Sequence, residues 1–179
     1  MKLAVIGIGN MGQALVDGML KSGRLQPDDL VVYDIDTGKA RTAAERAGAS
    51  WTQTPAEAVR QATHVMVVVK PQVFVPAMSA ITDALLPGAV LIVIAAGVRM
   101  DRIRALVGDG FGIARVMPNT PALVGAGVSA VCFDRVGEKD QAAVVALLDS
   151  CGIVIPCDEK SLDILGAVAS TGPAWAMLF

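Results

Sequence analysis

The chain has 179 residues, 54% of them hydrophobic, with a formal net charge of -2 and no run of like charges. That is enough for one well-cored domain with a small addition, and it excludes the basic stripe of a nucleic-acid binder or of a protein drawn to an anionic membrane surface. Mean hydropathy is high, at +0.56, yet the longest apolar runs, 65–69 and 89–96, have strand length and fall far short of the roughly 20 residues that span a bilayer.

The first predicted element is a buried strand at 3–6, followed by Gly7-Ile8-Gly9-Asn10-Met11-Gly12 and a helix at 13–21 with Ala14, Leu15 and Leu20 as apolar positions. A strand that must turn sharply into a helix whose N-terminus faces a phosphate needs glycine for the turn and for close backbone approach. The free N–H groups and positive dipole end of that helix then hold the phosphate charge. The pattern G-x-G-x-x-G is weak alone, since the chain has 18 glycines; strand, loop and helix in this order strengthen it. A second strand at 30–33 ends in Asp34, 22 residues after Gly12, close to the spacing of about 20 expected for an acidic residue on the adenosine ribose. A mononucleotide phosphate loop fails, because Gln13 and Ala14 stand where its lysine and hydroxyl would be. The residues themselves therefore point to a dinucleotide.

Helices are predicted at 37–47, 55–61, 75–85, 99–106 and 139–149, and strands at 65–69, 90–95, 113–117, 129–133 and 153–156. This alternation specifies an α/β fold with a doubly wound, mainly parallel sheet, a Rossmann-like dinucleotide-binding domain covered by helices on both faces. Residues 1–158 are assigned to that domain and 159–179 to the start of a C-terminal helical domain. Ligands of such sheets collect beyond the carboxyl ends of the strands. The corners to examine are therefore the glycine loop, Asp34-Ile35-Asp36, Lys70-Pro71-Gln72 and Ala95-Ala96-Gly97, where small residues admit a flat ring and Lys70 adds a cation. Met117-Pro118-Asn119-Thr120-Pro121 is a stiff polar link that turn chemistry alone would justify.

Three cysteines, Cys132, Cys151 and Cys157, have no metal-ligand spacing and read as ordinary buried thiols of a reducing compartment. The N-terminus enters a strand at once, with no signal segment, and a cytoplasmic location is expected. His64, the single histidine, precedes a strand and reads as a surface or capping residue and not as a general acid.

Together, the glycine loop, Val69-Lys70-Pro71-Gln72, Ala95-Ala96-Gly97, Met117-Pro118-Asn119-Thr120-Pro121 and Ser170-Thr171-Gly172-Pro173-Ala174 resemble pyrroline-5-carboxylate reductase, in the family's order and over almost the whole chain. The resemblance implies NAD(P)H-dependent reduction of the cyclic imine 1-pyrroline-5-carboxylate to L-proline, the last step of proline biosynthesis. It implies pyrophosphate contacts at Ile8, Gly9, Asn10 and Met11, ribose contacts at the end of the second strand, a small polar residue near the cofactor at Thr54, and a nicotinamide half lined by Val69, Lys70, Pro71, Ala95, Ala96 and Gly97. Lys70 and Asn119 would face the reaction region, with no proton-transfer role assigned to either.

Two departures from the family's pattern stand out. Many relatives favour NADPH and end the second strand in small polar or basic residues, where this chain has Asp34 and Asp36. A carboxylate accepts from a free 2′-hydroxyl and repels a phosphate, so Asp34 favours NADH; Lys39 and Arg41 lie close enough in sequence to keep NADPH in play. The family also has a further helical domain that forms a homo-oligomer and supplies contacts to the imine. Here the chain stops at Trp175-Ala176-Met177-Leu178-Phe179, inside an opening helix with no capping signal, as a truncated chain reads. Cofactor binding with little turnover by the chain alone is the expectation. The alternatives are a β-hydroxyacid dehydrogenase-like oxidoreductase, which the Met-Pro-Asn-Thr-Pro and Thr-Gly-Pro-Ala segments disfavour, and a non-catalytic NAD(P)-binding module, for which no effector segment is present.

Overall fold

A computed structural model describes residues 1–176; the apolar end at 177–179 lies outside them. The strands are β1 (Leu3–Ile6), β2 (Leu30–Tyr33), β3 (Ser50–Trp51), β4 (His64–Val67), β5 (Val90–Val93), β6 (Gly112–Met117), β7 (Gly127–Asp134) and β8 (Gly152–Pro156). The helices are α1 (Asn10–Lys21), α2 (Thr37–Ala47), α3 (Pro55–Val59), α4 (Phe74–Ser79), α5 (Met100–Val107), α6 (Glu138–Asp149) and α7 (Glu159–Ala176). One eight-stranded sheet has the order β3-β2-β1-β4-β5-β6-β7-β8. Every neighbouring pair is parallel except β6 with β7. The chain lays β2 and β3 on one side of β1 and then returns to lay β4 on the other, so the strand order reverses between β1 and β4. A crevice opens at the carboxyl ends of strands at such a reversal.

The β-branched and aliphatic residues of the central strands are buried on both faces, as a sheet covered on both sides requires. Leu3 and Val5 of β1 face one core with Leu15, Val16 and Met19 of α1 and Leu147 of α6. Ala4 and Ile6 face the other, with Val59 of α3, Phe74 and Met78 of α4 and Ile103 of α5. Leu91 and Ile92, adjacent on β5 and both fully buried, serve opposite cores; burial of each such side chain is worth about 1.5–3 kcal/mol. α7 covers the outer part of the second face, where Leu162 packs against Ala130 and Cys132 of β7.

Several element bounds differ from the sequence-based expectation for local reasons. The strand expected at 65–69 ends at Val67, leaving Val68 and Val69 as loop. The helix expected at 75–85 is only α4, followed by a 3-10 turn at Thr82–Ala84. There Ile81 N bonds back three residues to Met78 O, and Thr82 Oγ1 donates to the same carbonyl at 2.8 Å, tightening the chain out of α-helical pitch. β3 has only two residues, too few for a period to register. The link at 118–121 leads into a 3-10 turn, Thr120–Val124, and returns the chain antiparallel, so no crossover helix lies between β6 and β7. The Ser170–Ala174 motif lies in α7. Among the described residues no helix is long and apolar enough to cross a membrane.

Candidate functional site

The glycine loop sits at the reversal between β1 and β4. Gly7 has φ +98°, a conformation that L side chains rarely adopt, and a Cβ there would run into the Val68 carbonyl; a Cβ on Gly12 would run into the carbonyl of Gly7. These two glycines are demanded by the fold. Gly9 is different: its φ of -66° suits any residue, and a Cβ there would meet nothing within 4 Å. It borders the cavities on every side of the loop. A glycine that the backbone does not require, facing open space, leaves room for something that must come close to main chain.

What the loop offers is an anion site. α1 begins at Asn10, its N-cap is Gly9 with no side-chain cap, and its first turn holds no acidic residue. Gln13 N makes the first intrahelical bond, to Gly9 O at 2.8 Å, so the N–H groups of Asn10, Met11 and Gly12 are the orphan donors of the first turn. By contrast, α2 is capped by the Asp36 carboxylate on Lys39 N and α3 by Thr54 in a reciprocal box with Glu57.

Two stretches of wall extend from the loop. On the β2 side an apolar slot is formed by Tyr33, Ile35, Pro55, Val69, Val73 and Ala77, with Asp34 and Lys70 at its border. Ile35 is 91% exposed and Val73 51%, two large apolar side chains held in solvent at the mouth of this slot. On the β5–β6 side the cleft continues along Val68, Val69, Lys70, Ile94, Ala96, Met117 and Pro118. The slot and the cleft together give an elongated surface with the helix N-terminus at its middle, the shape a dinucleotide needs for two ring systems and a bridging diphosphate.

The structure thus brings Gly7, Gly9, Asn10, Met11, Gly12, Asp34, Val69, Lys70 and Ala96 together around one crevice. Ile8 and Asp36 border the adjoining groove between α1 and α2. Four expected residues are placed otherwise. Thr54 spends its hydroxyl on the α3 cap, and its neighbour Pro55 lines the slot instead. Ala95 is turned into the core. Pro71 opens a 3-10 turn, and Gly97 is a left-handed turn residue with φ +74°.

Asn119 is not a free group in the crevice. It is buried, its Oδ1 accepts from Val128 N at 2.9 Å and its Nδ2 donates to Ala169 O at 3.1 Å. The amide is a clasp between β7 and α7, and Met117 and Pro118 form the wall. Lys70 is exposed and makes no ion pair among the described residues. His64 is buried, not on the surface: Nδ1 shares a hydrogen bond with Thr63 Oγ1 at 3.1 Å and Nε2 lies 3.6 Å from Asp140. Burial lowers its pKa against the opposing effect of Asp140, and its place at the amino end of β4 sets it at the opposite end of the sheet from the crevice.

Sequence reasoning missed the apolar slot, whose members Tyr33 and Ala77 are ordinary strand and helix residues in the pattern and whose Val73 falls between predicted elements. The available signal was Ile35, an isoleucine between two aspartates. It also missed Arg115, buried within β6 and paired with Glu159 at 2.9 Å and Asp163 at 2.7 Å of α7. Glu159 additionally accepts from Met100 N, the first N–H of α5, at 2.7 Å.

The family model described as NADP oxidoreductase, coenzyme F420-dependent, matches residues 2–97, which is the segment from β1 through β5 that builds the loop and the slot. The chain belongs to this family. Over 99% of its length the chain is similar, at 31% identity, to the pyrroline-5-carboxylate reductase of Escherichia coli. Among solved structures, a pyrroline-5-carboxylate reductase from Coxiella burnetii superposes with a TM-score of 0.94 at 27% identity over 99% of the chain. The Plasmodium falciparum enzyme, solved with NADP bound, gives 0.88 at 30% identity over 100% of the chain. The chain spans 66% of the length of each of these three proteins, slightly under two thirds.

Proposed function

We propose that the chain is the cofactor-binding part of a pyrroline-5-carboxylate reductase, which reduces 1-pyrroline-5-carboxylate to L-proline with NAD(P)H. The observation that carries this reading is Gly9, a glycine unneeded by the backbone at the mouth of an uncapped helix. The similarity along the whole chain to reductases, one of them solved with NADP, supports the same conclusion.

The residues fit such a cofactor. Asn10, Met11 and Gly12 N–H groups take the diphosphate, the slot of Ile35, Val69 and Val73 takes the adenine, and Ala96, Met117 and Pro118 border the nicotinamide. When bound, the nicotinamide supplies a hydride. An imine protonated on nitrogen is already electrophilic at carbon, so the protein's main task is to hold the ring against it with water excluded. Small Ala96 lets a flat ring approach the backbone, and the apolar Val68, Ile94 and Met117 keep that wall dry. The unpaired Lys70 ammonium at the same wall suits the carboxylate of the substrate. Asn119 acts by position, fixing the segment that carries Met117 and Pro118 to α7.

The reading extends to residues 1–158 as the nucleotide-binding domain and to α7 as the start of a helical part that assembles a homo-oligomer in the cytoplasm. Ile164 and Val168, one turn apart on α7 and exposed at 59% and 66%, support an apolar contact there. The test is cofactor oxidation followed at the nicotinamide absorbance, with proline identified by chromatography. NAD(P)H consumption that requires 1-pyrroline-5-carboxylate is expected from the chain joined to a relative's helical part, and far less from the 179 residues alone. A joined protein that binds cofactor and still yields no proline would refute the substrate.

A further inference from the structure

Resting on the dinucleotide reading, we propose that discrimination between NADPH and NADH is set by Lys39 and Asp36, with Lys39 admitting a 2′-phosphate on the adenosine ribose and Asp36 opposing it.

Asp34, the residue that sequence spacing assigns to this task, has another occupation. Its Oδ2 accepts from Ile8 N at 2.8 Å and its Oδ1 from Asp36 N at 2.9 Å. One carboxylate therefore pins the glycine loop to the turn after β2 with two charge-assisted bonds, each oxygen keeping only part of its accepting capacity. Removing Asp34 loosens the loop that every dinucleotide needs, whatever its ribose carries.

The neighbouring cations differ in how committed they are. Arg41 Nε is held by Glu45 at 2.8 Å, one turn along the outer face of α2. Arg46 is fixed on both oxygens of Asp17, at 2.7 and 2.8 Å. Lys39 alone among the described cations borders both the groove between α1 and α2 and the cleft along the glycine loop. Its partner is Asp36 at 3.8 Å, with the two side chains 66% and 53% exposed. A pair that long and that wet is worth little, so the ammonium is free to leave it for a phosphate dianion beside the turn. Asp36 is the charge such a phosphate would meet first on the same groove, and its Oδ1 also caps α2 through Lys39 N at 3.1 Å. Asparagine keeps that cap, so the charge can be removed without unwinding the helix.

The experiment titrates NADPH and NADH separately into wild type, Lys39→Ala, Asp36→Asn and Asp34→Ser by nicotinamide fluorescence at low and high salt. Wild type binds both. Lys39→Ala raises the ratio of the NADPH Kd to the NADH Kd about tenfold, the size of one charge-assisted contact. It also removes the extra salt dependence of NADPH. Asp36→Asn lowers that ratio, and Asp34→Ser weakens both cofactors together. An unchanged ratio in Lys39→Ala, or a wild type that binds NADH and refuses NADPH at low salt, overturns the assignment and leaves the dinucleotide reading standing. A wild type that binds neither cofactor removes both.

Discussion

Gly7 and Gly9 are two residues apart and are glycine for different reasons. Gly7 answers to the backbone, with φ +98° and the Val68 carbonyl against its absent side chain, whereas Gly9 faces open space and is glycine, on the proposed reading, for the cofactor. Gly9→Val is therefore expected to cost about 1 kcal/mol or less, since valine is a poorer N-cap than glycine, and to lose cofactor affinity at least about tenfold. Gly7→Ala is expected to cost about 1–3 kcal/mol through strain alone. Urea unfolding beside cofactor titration separates the two. The motif was legible in the sequence, but this division of labour was not, because spacing carries no φ. Asp34 shows the same limit: its distance from Gly12 pointed to the adenosine ribose, while the hydrogen bond it accepts from Ile8 N joins two corners of the fold. His64 was misplaced because Asp140, which faces it, comes from α6. Its burial makes a prediction with a definite sign. The folded imidazole takes a proton less readily than the ordinary value of 6.5, so its share of stability is complete above that value and is lost as the pH falls below it, where the unfolded chain binds the extra proton. Unfolding free energy measured from pH 7 down to about 5 should fall less steeply in His64→Gln than in wild type; equal slopes would deny the imidazole that role. Burial likewise pushes the Cys132 thiol up to about 11; Cys132 and Cys151 are the buried thiols the sequence suggested, whereas Cys157 is only half-buried.

The elements that carry the crevice were readable as short continuous apolar runs for β1, β2, β4 and β5 and as amphipathic segments for α1 and α2, with the glycine loop before α1 and Gly48 after α2. Elements shaped by distant partners were not. Residues 75–85 have helical apolar spacing, yet the chain tightens once Thr82 and Ile81 share the Met78 carbonyl. α7 is held by a polar node as well as by Leu162: Arg115, 4% exposed, takes carboxylates from two successive turns of the helix, and Glu159 also satisfies the first N–H of α5. An arginine within an apolar strand signals such a node, but its partner is 44 residues away. Glu159→Ala leaves a buried guanidinium with one exposed partner and an uncapped α5, and is expected to cost about 1–3 kcal/mol. Hydrogen exchange should quicken in α7 and the first turn of α5 together. Loss confined to α7 would show that Glu159 does not couple the two helices.

At the scale of the whole molecule, alternation of strands and helices dictates a parallel sheet, and one reversal in strand order dictates where it binds. The alternation was visible in the sequence from the apolar runs; the place where the strand order reverses was not, and the glycine motif marked the site instead. Nor was the antiparallel β7, because a stiff Pro-Asn-Thr-Pro link serves a return as well as a crossover; the return is seen in the β6–β7 ladder, with Asn119 bonded to both β7 and α7. Loop, slot and cleft meet at the N-terminus of α1, where the proposed function requires a diphosphate to lie. A crystal structure of the chain with NADPH tests this most directly. Diphosphate oxygens are expected within hydrogen-bonding distance of the Asn10 and Met11 N–H groups, against the open side of Gly9, with the adenine beside Ile35 and Val73. A dinucleotide bound elsewhere, or a glycine loop left empty at saturating cofactor, would contradict it.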